Sequence, residues 1–355
     1  MFVKDYISYS EFSENIKSKY YNDYLKNIDL GALNPLLKKA RMYFFMGIAT
    51  VFLAIIMFLS LMFAAFSSAN TQVMITLAVF TGIFIIVAIV FHALRVTTKR
   101  KIIEIAFSNV NSKHYYDKFF NELNVKYEFF DENLDELKRK TQNNMLNLVN
   151  QKDLDTHSPL MAGPEAYLIK QTEPQYLLIE NKYPVSLVST TWKEEIVTRS
   201  GREVRREVII TYNTVLKIDL AKANLNQNYK FSMFTDSGWS NTKFKKLENN
   251  EFNKMIQLHD NNEYLARKIF TPLGMENMVN FLKEKMPYER NVVYGNDREI
   301  IINSNCSRFL TPNFKYSLNI DKLLKSLFLD ILQDVYLTYS TLHTIFIPLL
   351  LDTEN

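Results

Sequence analysis

MYFFMGIATVFLAIIMFLSLMFAAF, residues 42–66, is 25 residues long and carries no charge. VMITLAVFTGIFIIVAIVFHAL, residues 73–94, adds 22 more without a charge. A bilayer core about 30 Å thick needs roughly 20 apolar residues at 1.5 Å each. Each stretch is therefore long enough to cross with some tilt. Ser67, Ser68, Ala69, Asn70, Thr71 and Gln72 join them, and so short a link makes the two spans antiparallel neighbours. The competing reading, two buried helices of a soluble protein, is disfavoured by the lengths. A cleavable signal peptide is disfavoured because the apolar run starts late, is long, and is followed by a second.

Lys38, Lys39 and Arg41 precede the first stretch; Arg95, Lys99, Arg100 and Lys101 follow the second. The link has no Lys or Arg. The positive-inside rule then predicts a multi-pass cell-membrane protein with both termini cytoplasmic and the link outside. Ser60 with Ala64, and Ala78 with Gly82, are small residues four apart on either side of the link, the expected seam of the hairpin. Neither span holds Asp, Glu, Lys or Arg, and His92 sits at the cytoplasmic edge. Intramembrane ionisable groups mark transport paths, so a transporter or channel acting alone is disfavoured.

Outside this block the chain reads as soluble. At 47% hydrophobic and 14% aromatic it is not a disordered polymer, and 8 Gly with 9 Pro argue against a fibrous design. Its one cysteine, Cys306, excludes an intrachain disulfide framework and fits a reducing compartment.

Residues 1–40 read as cytoplasmic amphipathic helices. Ser8 and Glu11 have capping-box spacing, Phe12, Ile16, Tyr20 and Tyr24 recur every four residues, and Asn34-Pro35 resembles a helix start. This segment packs on the main domain in one reading and lies on lipid in the other. Residues 41–95 form the hairpin and 96–155 a helical link without glycine until the domain begins. Residues 156–355 form a cytoplasmic α+β domain, mainly antiparallel. Val185–Trp192 and Val208–Asp219 read as a long hairpin around Ser200-Gly201, with Thr214 to Leu220 alternating as a half-buried strand does. Asn291–Tyr294 and Glu299–Ile302 read as a second hairpin around Gly295-Asn-Asp297. Thr271 suits an N-cap and Pro272 a first turn, with Met275, Met278, Val279 and Leu282 as the apolar stripe. Phe309-Leu-Thr-Pro312 repeats that phrase. From Ile320 the chain reads as one long helix; its uncharged end, Val335–Leu351, holds 17 residues, short of a span and rich in Thr and Ser, which favours a core or partner-facing helix over a third crossing.

Glu248-Asn-Asn-Glu-Phe-Asn-Lys-Met-Ile256, followed by Asn261-Asn-Glu-Tyr-Leu-Ala-Arg-Lys-Ile-Phe-Thr-Pro-Leu-Gly-Met-Glu276, resembles the bacterial membrane-protein family known as domain of unknown function 3137. Glu251, Phe252, Ala266, Arg267, Thr271, Pro272, Met275 and Glu276 match its pattern; residues 105–165 depart from it. The resemblance implies membrane attachment and a shared fold, and no activity.

No GxGxxG, P-loop, GxSxG, HExxH or paired CxxC occurs in the sequence. Asp153, Asp155 and His157, and His259, Asp260 and Glu263, have metal-like residue types but read better as polar surface. No catalytic, cofactor or metal residue is therefore assigned and no cofactor is expected. The unusual charged features are Arg199, Arg202, Arg205 and Arg206 near the tip of the long hairpin, and Lys243, Lys245 and Lys246. Glu194, Glu195, Glu203 and Glu207 lie close by, so a salt-bridged hairpin is one reading; contact with lipid head groups or an acidic protein is the other. A net charge of +4 is too small for a nucleic-acid footprint. The expectation is a membrane-anchored interaction or scaffold module contacting the lipid bilayer and a protein partner. The alternatives are a membrane-bound enzyme with a site built from scattered residues, or an accessory subunit of a transport or secretion complex.

Overall fold

The structure, a computed structural model, describes residues 7–27, 31–67, 70–109, 112–157, 163, 165–200, 203–222, 230–235, 246–260, 263–283, 291–305, 309–310 and 315–345. The chain is α+β and divides into two compact units: Tyr20–Ser112 with Phe314–Asp330, and Met1–Lys19 with Lys113–Asn313 and Ile331–Asn355.

The first unit is dominated by two helices long and apolar enough to cross a membrane, α2 (Leu33–Phe66) and α3 (Thr71–Asn109). Their most apolar windows are only 11% and 6% buried, the reverse of a soluble core helix. Phe45, Phe52, Leu59, Phe63, Ile86 and Ile89 point outward. The shielded positions follow a heptad on both helices: Gly47, Thr50, Ala54, Met57, Leu61 and Ala64 on α2, and Met74, Leu77, Thr81, Phe84, Ala88, Phe91, Arg95, Thr98 and Ile102 on α3. That spacing is the seam of a left-handed coiled coil. It corrects the seam expected from the residues beside the link. Ala64 belongs to it, but Ser60 and Ala78 are exposed, and a Cβ at Gly82 would meet nothing within 4 Å. Close approach occurs instead at Gly47, where a Cβ would lie 3.7 Å from Phe91 Cβ. Asn34 is not the N-cap: α2 starts at Leu33 behind Ala32, with no side-chain cap. Pro35 is tolerated because first-turn N–H groups have no intrahelical acceptor. At the basic end Arg41 donates from Nε and Nη2 to Leu318 O at 3.0 and 2.6 Å, and Tyr24 donates to Leu324 O at 3.1 Å.

The second unit is built on an antiparallel sheet. Its strands are β1 (Tyr127–Asp131), β2 (Tyr167–Gln171), β3 (Gln175–Ile179), β4 (Tyr183–Ser200), β5 (Glu203–Asp219), β6 (Lys230–Phe234), β7 (Gln257–Asp260), β8 (Asn291–Asn296) and β9 (Glu299–Ser304). Their order is β1-β3-β4-β5-β9-β8-β6-β7, with β2 also paired to β4. Helices α5 (Leu134–Thr141) and α6 (Gln151–His157) cover one face, through the cluster Phe130, Leu137, Tyr176 and Leu178 and the cluster Leu154, Val188, Val215 and Ile301. Helix α4 (Ser112–Phe120) and the end of α10 (Ile320–Ile345) cover the other. There Tyr116 meets Phe129, Tyr127 meets Tyr339, and Tyr116 donates to Asp334 Oδ2 at 2.9 Å.

β1 overturns part of the helical link between 96 and 155: Tyr127-Glu-Phe-Phe-Asp pairs with β3 and is buried on both faces. The uncharged end of α10 is a core helix. Val335, Tyr339, Ser340, Thr341, Leu342 and His343 are all buried, which a lipid-facing helix would not be; residues 346–351 lie outside the described residues. The first helix, α1 (Tyr9–Asn27), is packed rather than laid on lipid, with Phe12, Ile16 and Tyr24 buried. Its predicted start holds: Glu11 N donates to Ser8 Oγ at 3.2 Å.

Near the far sheet edge lie α7 (Asn250–Met255), α8 (Glu263–Ile269) and α9 (Pro272–Lys283). Thr271 caps α9 by accepting from Gly274 N at 3.1 Å. Phe231 meets Phe270 edge to face, and Phe252 packs tilted against Phe270, with centroids 5.5 and 5.9 Å apart. Gly295 pairs with Phe231, and a Cβ there would run into the Phe231 ring. So Gly295 serves the packing of β8 and not the turn, which Asn296 makes by accepting from Arg298 N and Glu299 N at 2.8 and 3.0 Å. Pro312 of the repeated phrase lies outside the described residues.

Candidate functional site

The outer half of the long hairpin is exposed, with Ile196, Val197, Val208, Ile210 and Tyr212 all reaching solvent. β4 and β5 pair continuously from Val185↔Ile218 to Ser200↔Glu203. Other strands support only the base: β2 reaches Lys193, and β9 reaches Thr214. Beyond those residues the two strands have only each other as ladder partners among the described residues. The seven residues from Glu194 to Ser200 extend about 23 Å at 3.3 Å each. Among the described residues neither edge of this arm has a further ladder partner, although Gly163, just before β2, lies against Glu194; an unpaired edge is a template for an added strand.

Directly opposed residues share a face of the pleat. The register therefore collects Tyr167, Lys193, Glu195, Val197, Arg206, Val208, Ile210 and Tyr212 on one face. Val197, Val208, Ile210 and Tyr212 are between 40% and 53% exposed. Lys193 pairs with Glu195, and its Nζ lies 5.7 Å from the Tyr167 ring centroid. The hydrogen bond from Lys193, then the Lys193 and Arg206 charges, hold Glu195 below the usual carboxylate range. Its bond to Glu195, and then to Tyr167, raises Lys193. The face is therefore an apolar stripe with charges pinned along it.

The cationic candidates divide. Arg199, Arg205 and Arg206 fall on the arm, opposite Val204, Thr198 and Val197. Lys246 is exposed just before α7, on another part of the sheet unit. Arg202, Lys243 and Lys245 lie outside the described residues.

A buried charged cluster was not anticipated. Thr214 to Leu220 is buried on both faces rather than half-buried, because α6 and the preceding segment lie over the polar side. Lys217, with a side chain 3% exposed, bridges Asp153 Oδ2 and Glu299 Oε2, each at 2.9 Å. Asn147 Nδ2 donates to Glu299 at 2.7 Å, and Asn147 N to Asp219 Oδ2 at 3.0 Å. Burial pushes the Glu299 carboxyl up, but hydrogen bonds from Lys217 and Asn147 and the Lys217 charge outweigh it and leave the group lowered. Asp153 is also locked to Asn150 by reciprocal N–H bonds of 3.0 and 3.1 Å. Asp153 is thus committed to Lys217, while Asp155 accepts from Gln151 Nε2 at 2.8 Å, so the Asp153, Asp155, His157 trio is not assembled for a metal. No group of three His, Cys, Asp or Glu able to hold a metal occurs among the described residues.

The residues that carry the family resemblance are packing and capping residues. Phe252, Ala266 and Met275 are buried. Glu251 pairs with Lys283, and Arg267 with Glu248. Through these contacts they fasten α7, α8 and α9 together. Comparison with protein-family models, curated proteins and solved structures finds no match.

On the hairpin unit two adjoining hollows run along one side of α2 and α3. One, about 360 Å³, is lined by Tyr43, Phe44, Gly47, Phe52, His92 and Arg95 among others. The next, about 580 Å³, includes Ala54, Phe58, Thr81, Ile85 and Ile89. Val51, Ile55, Ala88 and His92 line both.

Proposed function

We propose that this chain is a membrane-anchored, non-catalytic interaction module. Its hairpin crosses the cell membrane twice, with the link outside and both termini in the cytoplasm, and its sheet unit holds a protein partner on the cytoplasmic side. The membrane part of the reading is supported by the outward apolar surface of α2 and α3 and the placement of cations at one end only. Lipid accepts such a surface; water does not.

The arm is the single observation that carries the interaction part. A ribbon whose edges have no further ladder partner among the described residues, and which carries an apolar face, is a surface for strand addition or side-by-side docking. Natural sheets blunt exposed edges with charge. Here Lys193, Glu195 and Arg206 interrupt the stripe without hiding it, which suits a partner of complementary charge.

A photo-crosslinking amino acid placed at Val197, Val208 or Tyr212 in growing cells tests this. One stoichiometric protein adduct from these positions, absent when the probe sits at Lys246, is the expected result. Adducts only with the chain itself, or none differing from the Lys246 control, would overturn it.

A further inference from the structure

We infer that the groove along α2 and α3 is a binding site for one anionic phospholipid, whose acyl chain lies in the groove and whose phosphate sits at Arg95 and His92. The inference rests on the membrane reading above. The two hollows adjoin and share Val51, Ile55, Ala88 and His92 in their walls. From Phe58 to Phe44 the groove runs about 21 Å along α2, enough for a chain that must cover a leaflet of about 15 Å. Small residues create it: Gly47, Ala54 and Ala88 leave a trough between larger flanks.

The lining is apolar along its length and polar at one end. Thr81, the polar residue at the far end, already donates to Leu77 O at 2.8 Å. At the near end lie Tyr43, His92 and Arg95. The Arg95 guanidinium is held over the Phe44 ring at 4.5 Å, a stack that fixes a cation at the groove mouth. On α2 and α3 the charges nearest the groove mouth along the chain are of one sign, the next carboxylates being Asp29 and Glu104. Residues 30–103 contain Lys38, Lys39, Arg41, Arg95, Lys99, Arg100 and Lys101, and no Asp or Glu.

This combination selects the occupant. A soluble anion would gain nothing from an apolar trough. A helix from a second copy in the same membrane orientation would bring its own basic end against this one. A phospholipid with a net negative head group satisfies both ends, and basic residues beside a bilayer attract such lipids.

The test uses the full chain purified in mild detergent, delipidated, and titrated with phosphatidylglycerol or phosphatidylcholine while bound lipid is counted by native mass spectrometry. The wild type should retain phosphatidylglycerol at least about fivefold better, the factor one arginine at an anionic surface provides. Arg95→Gln should lower that preference by about the same fivefold while leaving chain insertion intact. Ala88→Leu, which fills the trough, should lower retention of both lipids. Equal retention of the two lipids by the wild type would overturn the inference, as would an Arg95→Gln protein that keeps the preference, or preferential dimer formation in place of lipid. Release of the chain from membranes by alkaline carbonate would instead defeat the membrane reading itself, and the lipid site with it.

Discussion

Replacing Lys217 with Met removes the cation that bridges Asp153 and Glu299. Its side chain is 3% exposed, and the Asp153 and Glu299 side chains it bridges are 11% and 24% exposed. Breaking a buried pair from one side leaves the partner charge uncompensated, at a cost of about 3–5 kcal/mol. Here two carboxylates lose their partner, partly offset by the donors on Asn147 and by solvent at Glu299. A loss near 3–4 kcal/mol is expected. The triple change Lys217→Met, Asp153→Asn, Glu299→Gln should recover most of it, because the charge left behind is the costly item and not the missing attraction. Chemical denaturation of the intact chain in detergent, followed by fluorescence of the buried Trp192 on β4, measures both. A Lys217→Met protein within about 1 kcal/mol of wild type, or a triple variant less stable than the single one, would refute the reasoning.

Glu299 also sets an acid limb. Its carboxyl is lowered in the folded chain, so its contribution is complete above the ordinary Glu value of about 4.3. It is lost as pH falls through the lower folded value. Denaturation midpoints of wild type should therefore fall more steeply below pH 4.3 than those of Glu299→Gln, and parallel curves would contradict this. Gly295→Val should destabilise by at least about 1–3 kcal/mol, the usual range for overpacking, because the new side chain meets the Phe231 ring; a thermal melt checks it. Val208→Ser with Ile210→Ser, both exposed on the arm, should shift stability by about 1 kcal/mol or less while abolishing the crosslinked adduct.

The hairpin and the long β4–β5 ribbon were legible because each rests on local pattern: uncharged stretches of 25 and 22 residues, and two β-rich runs flanking Ser200-Gly201. What failed was what depends on distant partners. β1 is five residues among helix formers, and its strand identity comes from pairing with β3, far along the chain. The polar residues of β5 read as a water-facing side, because alternation cannot reveal that α6 covers them; Lys217 is satisfied by Asp153, 64 residues away. The hairpin seam was misplaced because two small-residue pairs near the link stand out in sequence, whereas the true heptad mixes Gly, Ala, Thr, Met and Phe. Of the candidate cations, Arg199, Arg205 and Arg206 share the arm because they share a strand pair. Lys246 does not join them.

In the proposed topology the link of the membrane hairpin lies outside and the arm lies in the cytoplasm. In a Cys306→Ser background, single cysteines at Asn70 and at Thr198 are labelled in intact cells with a membrane-impermeant maleimide. The expected result is labelling of Asn70→Cys in intact cells and of Thr198→Cys only after permeabilisation. Labelling of both in intact cells, or of Thr198→Cys alone, would contradict it.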